Sequence, residues 1–309
     1  MRILLVGCSG FVGRALVPQL LEAGHTLTLV SRSSRPLPSL EHPQLQRLQA
    51  DPSSAASWQQ PPLQQALAEA EAVVNLAGEP IAEKRWTPQH QQLLTNSRID
   101  TTRALVAAIA ALPEQQRPGV LINGSAIGYY GTSPTQRFVE SSAAGSDFLG
   151  GLCAAWEAEA RAAEACCRVV ILRIGIVLGA DGGALGKMLP VFQLGFGGPI
   201  GTGQQWMSWI SRRDLCQLIA TALTDSTYTG VYNAVAPEPC RMAAFAAALG
   251  RCLGCPSLLP VPGPMLQLLL GDGAKVVLEG QQVLPQRLQE QGFPFRDAEL
   301  SAALAAATS

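Results

Sequence analysis

Two rhythms of apolar positions alternate along this chain. Short apolar runs near residues 2–7, 26–31, 45–49, 72–77, 119–124 and 168–174 read as strands, and the stretches near 11–23, 61–69, 88–111 and 147–166 read as helices between them. In the first helix the apolar stripe is Phe11, Leu16, Val17, Leu20 and Leu21. Such alternation predicts an α/β fold with a doubly wound parallel sheet and right-handed crossovers. Pro- and Gln-rich stretches, Pro36 to Pro43 and Asp51 to Gln65, read as surface connections, and no internal repeat is present. From Gly179 the alternation stops. A glycine-rich stretch from Asp181 to Gly203 follows, then a tryptophan-bearing strand, a helix from Arg212 to Leu223, a short strand from Gly230 to Ala234 and an Ala/Leu-rich helical tail.

The first strand runs directly into glycines at every third position, Gly7, Gly10 and Gly13, and then into the first helix. Gly7 permits a sharp turn, Gly10 lets the backbone approach a pyrophosphate without a Cβ in the way, and Gly13 lets the helix pack close to the strand. Free N–H groups and the positive end of the helix dipole then face the anion. The loop Gly7, Ser9, Gly10, Phe11, Val12 and Gly13 is therefore the expected binding site for the phosphates of a dinucleotide, and the sheet is of the Rossmann type. Residues 1–178 form the predicted dinucleotide-binding domain, with 204–236 returning to it. Residues 179–203 and 237–309 form a small C-terminal substrate or lid domain, since ligands in such folds lie outside the carboxyl ends of the strands.

The second strand selects the nucleotide. About 20 residues beyond the glycines, where an NAD site offers Asp or Glu to the ribose hydroxyls, this chain offers Ser31 and Arg32, with Ser33 and Arg35 behind them. A hydroxyl and a planar guanidinium suit a 2′-phosphate, which predicts NADP(H); the alternative is that Arg32 is a solvated loop residue.

Composition adds exclusions. The 309 residues are 48% hydrophobic and 15% charged with a net charge of −1, enough for a large core and without the basic footprint of a nucleic-acid or membrane-surface protein. The chain enters its first strand with no apolar leader, and its longest apolar stretch, Val169 to Ala180, contains Arg173 and Gly175, so a cytoplasmic protein without a membrane span is expected. Most of the eight cysteines lie in apolar contexts, and Cys252-x-x-Cys255 has no second pair or nearby His to complete a zinc site, so no metal is expected.

A series of ordered motifs runs through the chain: Val74-Asn75-Leu-Ala-Gly78-Glu79-Pro80-Ile81, Arg85-Trp86, Ser97-Arg98-Ile99, Gly128-Tyr129-Tyr130-Gly131, Trp156-Glu157, Leu172-Arg173-Ile-Gly175-Ile-Val177-Leu-Gly179, Gly203-Gln-Gln205-Trp206, Ser208-Trp209-Ile210, Tyr232-Asn233 and Pro285-Gln-Arg287. In these the chain resembles the extended short-chain dehydrogenase/reductase superfamily, and within it an atypical, epimerase-like family with its own small C-terminal domain. The resemblance implies that Leu76, Ala77 and Gly78 lie against the adenosine side of the cofactor, that Arg98 projects toward it, and that Val177 sits beside the nicotinamide. For Leu76 and Val177 core packing is the competing reading, so only backbone contacts are expected; Arg98 would serve equally as a surface ion pair. Asp51 is read either as an adenine contact or as a turn cap.

Superfamily chemistry rests on Tyr-x-x-x-Lys, whose lysine lowers the tyrosine pKa for proton exchange. This chain has no such pair: aligned on Trp156-Glu157, the two positions fall on Leu149 and Cys153. The remaining candidates for catalysis are Ser125, at the end of the fifth strand, and Tyr129 or Tyr130 as a displaced acid. Turn capping for the serine and packing for the tyrosines are the competing readings. Trp206 and Trp209 either wall a pocket or belong to the core, and Glu79 and Lys84 are further polar candidates. Two functions stay open: an NADP(H)-dependent oxidoreductase or epimerase-like enzyme acting on an unidentified small molecule, or a catalytically silent NADP(H)-binding regulator working through a protein partner. The second is implied by division-inhibitor-like relatives in plastids and cyanobacteria.

Overall fold

The computed structural model describes residues 1–33 and 41–308. Seven parallel strands form the main sheet: β1 (Arg2–Val6), β2 (Thr26–Ser31), β3 (Leu45–Gln49), β4 (Ala72–Asn75), β5 (Val120–Ala126), β6 (Arg168–Ile174) and β7 (Gly230–Ala234). Their spatial order is β7-β6-β5-β4-β1-β2-β3. The order reverses at β1, between β2 and β4, and a crevice therefore opens at the carboxyl ends there.

Side chains alternate across each strand, and in these strands both faces are apolar. Ile3 and Leu5 point into one core with Leu16, Leu20 and Ile219, whereas Leu4 and Val6 point into another with Trp58, Leu105 and Ile109. A sheet apolar on both sides must be covered on both, each fully buried side chain contributing roughly 1.5–3 kcal/mol. The helices Gly13–Glu22 and Arg212–Thr224 cover one face, and Pro61–Ala68 and Pro88–Ala111 the other. A third core, built on Leu185, Phe192, Trp209, Phe245, Leu249 and Leu304, joins the helices Gly183–Gln193, Met242–Leu253 and Leu300–Thr308.

The register aligns polar residues at the carboxyl edge. Asn75 lies opposite Val6 on one side and Asn123 on the other. Further along, Arg173 lies between Ser125 and Asn233. Beyond the main sheet, Ile176–Leu178 pairs with Trp209–Ser211, and Gln282–Val283 pairs with Arg137–Phe138, tying the C-terminal residues to the loop after β5.

Several boundaries differ from the sequence reading. The first helix begins at Gly13 rather than 11, and the helix read over 147–166 ends at Arg161, after which a 3-10 turn spans Ala162–Ala165. The Gln-rich segment read as a connection contains a short helix, Ala55–Trp58, whose Trp58 is buried. The tryptophan-bearing strand is two strands, Trp206–Met207 and Trp209–Ser211. They divide at Ser208, whose hydroxyl donates to Gln281 O at 2.8 Å and accepts from Val283 N at 2.9 Å. Among the described residues no helix is long and apolar enough to cross a membrane.

Candidate functional site

Two of the three N-terminal glycines are required by the chain's own backbone. Gly7 has φ +74°, and a Cβ there would lie 2.4 Å from Ala77 N; at Gly13 a Cβ would lie 1.9 Å from Cys8 O. Gly10 differs, because a Cβ there would meet nothing closer than Gly7 O at 3.7 Å. Its exposed backbone leaves room for a group from outside. The helix behind it has no side-chain cap and no acid in its first turn, whereas Thr87, Asp147 and Ser211 each cap a later helix by accepting a backbone N–H. An uncapped helix start keeps its N–H groups and positive dipole end for an anion.

The loop after β4 meets this turn directly. Leu76 N donates to Val6 O at 2.9 Å, and Ala77 N donates to the Asn75 side chain at 3.2 Å. Arg98 faces the backbone of this loop: it donates to Glu79 O at 2.9 Å and to Leu94 O at 3.1 Å, and its guanidinium lies over the Trp156 ring at 5.4 Å. A Cβ on Gly78 would lie 3.0 Å from that guanidinium carbon. Arg98 is thus a brace under Gly78 and Glu79 rather than a surface ion pair. Burial lowers its pKa from the ordinary value.

At the end of β2, Ser31 is half-buried and accepts from Ser33 N at 3.2 Å, and the side chain of Arg32 is exposed. Arg35, which the sequence pairs with Arg32, lies outside the described residues, as does most of the Pro36 to Pro43 connection. Asp51 accepts from Ser53 N at 3.1 Å and Ser53 Oγ at 2.8 Å, which makes it a turn cap.

A glycine-rich loop closes on the other side. The Phe11 ring fills the space that Cβ atoms on Gly179, Gly182 and Gly183 would need, at 2.9, 2.6 and 3.1 Å. Asp181 pairs with Arg212 at 2.5 Å and Arg14 at 3.8 Å, and Arg212 lies over Phe11 at 4.7 Å. Val177, on the short strand entering this loop, is half-buried and packs against the first core, with its carbonyl 3.2 Å from where a Gly183 Cβ would be.

The catalytic candidates meet in a buried polar network. Ser125 donates to Glu157 Oε1 at 2.8 Å. Glu157 also binds Arg173 at 2.7 and 2.8 Å, and the two side chains are each 2% exposed. Arg173 in turn donates to the Tyr130 hydroxyl at 2.9 Å and to Glu140 O at 3.1 Å, and its guanidinium sits 3.3 Å over the Tyr129 ring. Burial alone would disfavour the Arg173 cation; the hydrogen bonds and charge of Glu157 outweigh it and hold the pKa above its ordinary value. The Tyr130 hydroxyl donates to Asn233 Oδ1 at 2.6 Å, and burial pushes its pKa up to about 12. Tyr129 stays half-buried at the rim of the network.

On the helix Phe148–Arg161, Leu149 packs over Gly128 and Cys153 is buried, its thiol pushed up to about 12 by burial. One turn further along the same face stands Glu157. Sequence reasoning quoted Glu157 and Arg173 as markers without assigning them a role. The available signal was an arginine inside the apolar run Val169–Ile174, which demands a buried counter-charge. Trp209 is fully buried and belongs to the core, whereas Trp206 stacks on Arg241 at 3.8 Å. Glu79 and Lys84 pair at 3.3 Å.

Comparison with known proteins places these features. A model described as "NAD dependent epimerase/dehydratase family" matches residues 3–234, and one described as "Domain of unknown function (DUF1731)" matches residues 261–307. The chain is 43% identical over 300 residues to the chloroplastic homolog of epimerase family protein SDR39U1 from Arabidopsis thaliana, covering 96% of this chain and 83% of that one. The crystal structure of human epimerase family protein SDR39U1 (isoform2) with NADPH is similar at a TM-score of 0.86 and 36% identity, over 99% of both chains. UDP-glucuronic acid 4-epimerase from Bacillus cereus, in complex with UDP-glucuronic acid and NAD, has a TM-score of 0.79 at 18% identity over 99% of this chain and 98% of that one, a likeness of fold alone.

Proposed function

The chain belongs to the NAD dependent epimerase/dehydratase family, and on that premise we propose that it is an NADP(H)-dependent oxidoreductase or epimerase-like enzyme acting on a small molecule without a Tyr-x-x-x-Lys pair. The observation that carries this reading is the carboxyl edge of the sheet at the switch point. There an uncapped helix start, a Gly10 with open space beside it and an exposed Arg32 at the end of β2 lie on adjoining strands. The similar human protein was crystallised with NADPH, which supports the same cofactor here.

When bound, the nicotinamide supplies hydride transfer. The chain's own residues do the rest. Backbone N–H groups between Gly7 and Gly13 hold the pyrophosphate, with Ser9 beside them and Phe11 and Val12 shaping the loop, and Ser31 and Arg32 hold the 2′-phosphate. The Leu76, Ala77 and Gly78 backbone, braced by Arg98, lines the adenosine side, and the Val177 backbone borders the nicotinamide. Ser125 donates its hydroxyl hydrogen bond to Glu157 and so presents a lone pair to a substrate hydroxyl. Proton supply then falls to Tyr129 or to water. We assign residues 1–178 with 204–236 to cofactor binding, and 179–203 with 237–309 to the substrate side.

Leu149 and the buried Cys153 favour a second reading, an NADP(H)-binding regulator that no longer turns over substrate. A screen following NADPH absorbance over simple carbonyls, together with product analysis over nucleotide sugars, where an epimerase returns the hydride and leaves the absorbance unchanged, separates the two. Because general-acid assistance contributes ~10²–10⁴ in rate, the enzyme reading predicts slow turnover that falls with Ser125→Ala and Tyr129→Phe. Fast turnover surviving both changes overturns the site. No turnover, together with recovery of a stoichiometric protein partner, establishes the regulator.

A further inference from the structure

A cavity of about 460 Å³ lies between the loop after β4 and the C-terminal part of the chain. Ile81, Phe192, Leu266 and Val277 are among its walls, and among the described residues the only charged ones lining it are Glu83 and Lys187. Those two cancel: they pair at 3.9 Å, and Lys187 also donates to Ala82 O at 3.3 Å, with both side chains more than half exposed at the rim. Gly183, another wall residue, lies beside the Phe11 ring and the Val177 carbonyl, where a Cβ would come within 3.1 and 3.2 Å of them, so the cavity begins where the cofactor cleft ends. Its volume lies in the ~300–1,000 Å³ range of small-molecule sites. A larger depression of about 510 Å³, lined by Arg2, Thr26, Gln44 and Pro61, lies at the opposite, amino ends of the strands.

The helix that closes the cavity has an unusual composition. Gly263–Leu270 reads Gly-Pro-Met-Leu-Gln-Leu-Leu-Leu and has no buried residue. It is held from outside the cavity by Arg85, which donates to Leu268 O at 2.8 Å, and by Trp86 N, which donates to Leu270 O at 3.1 Å. Leu266 and Leu270 face the cavity, and Leu268 and Leu269 face outward. A molecule passing this helix meets apolar surface on either side of it.

A nucleoside diphosphate sugar brings two phosphate charges and a ring of hydroxyls, and burying these without cations or donors is costly. The one lysine here is already engaged. We propose that this cavity is the substrate site and that it takes a predominantly apolar molecule, a ring system or branched chain carrying one hydroxyl or carbonyl at the end nearest the cofactor cleft. The proposal rests on the cofactor reading above for the orientation of that polar end, and on the cavity alone for its apolar character.

The test uses the neutral fluorophore N-phenyl-1-naphthylamine, titrated into the 309-residue chain with NADPH binding measured in parallel. The expected result is saturable fluorescence that UDP-galactose does not displace. Leu266→Trp and Val277→Trp, which fill the cavity from two sides, should each weaken the probe about tenfold or more while NADPH affinity holds. The outward-facing Leu268→Ser/Leu269→Ser variant should leave probe affinity unchanged. Absence of saturable binding, displacement by UDP-galactose, binding that survives both filling variants, or loss with the outward variant overturns the proposal. NADPH binding without probe binding overturns the apolar site alone, whereas probe binding without NADPH binding overturns the cofactor reading and supports the apolar site.

Discussion

Glu157 and Arg173 meet through two hydrogen bonds, Nε to Oε1 at 2.7 Å and Nη2 to Oε2 at 2.8 Å, with each side chain only 2% exposed. The pair stands where the helix Phe148–Arg161 crosses the end of β6, directly behind Ser125. A buried pair adds little net stability against an apolar isostere, but removing one partner strands the other charge.

Glu157→Ala should therefore destabilise the fold by about 3–5 kcal/mol in urea unfolding, because the Arg173 cation loses its counter-charge. Paired replacement by Glu157→Leu and Arg173→Met should recover much of that loss. A cost for Glu157→Ala within the ~0–1 kcal/mol of a surface pair would mean that solvent reaches Arg173.

Two of the N-terminal glycines, Gly13 and Gly10, should fail in different ways. Gly13→Ala places a Cβ 1.9 Å from Cys8 O and should prevent the native fold, as read by circular dichroism. Gly10→Val should leave the fold intact, since a Cβ there has open space, yet abolish NADPH binding in calorimetry by covering the N–H groups. Retained NADPH affinity in folded Gly10→Val would reduce the loop to an ordinary turn.

These glycines also show what was legible in the sequence. β6 is a nearly continuous apolar run, and the helix Pro88–Ala111 is bounded by the Thr87 cap with Pro88 at its start and by Pro113 beyond its end; the ends of both agree with the sequence reading to the residue. The turn Gly7 to Gly13 was legible because glycine spacing after a strand has one main structural use. The two-residue strands at Arg137 and Gln282 are too short for any period, and their pairing spans nearly half the chain. Tyr130 and Ser125 were found as residue types, but their partners were not. Hydrogen bonds to Asn233 and Glu157 follow from strand register and helix crossing, which no local pattern contains.

Stability should fall in alkali. Burial raises the Cys153 thiol from 9.0 to about 12 and the Tyr130 phenol from 10.0 to about 12. Both groups stay protonated in the folded chain at pH values where the unfolded chain releases the proton. The stability they hold is therefore fully present below pH 9.0 and is lost as pH rises to about 12. Urea unfolding across this window should show the decline, and Cys153→Ala and Tyr130→Phe should each make it shallower. A slope unchanged by either variant would contradict the burial of these groups.

Arg32→Ala should weaken NADPH binding roughly 10- to 150-fold, the equivalent of losing a charge-assisted contact worth ~1.5–3 kcal/mol, and leave NADH nearly unaffected. Equal losses for both cofactors would place Arg32 at the shared part of the molecule rather than at the 2′-phosphate.

Calorimetric titration of the unmodified protein with NADPH and with NADH tests the central claim most directly. One NADPH should bind per chain, at least about tenfold tighter than NADH, because only the 2′-phosphate can use Arg32 and no acid stands at the end of β2 for the free ribose hydroxyls. Equal affinity for the two, or binding of neither, would contradict the account.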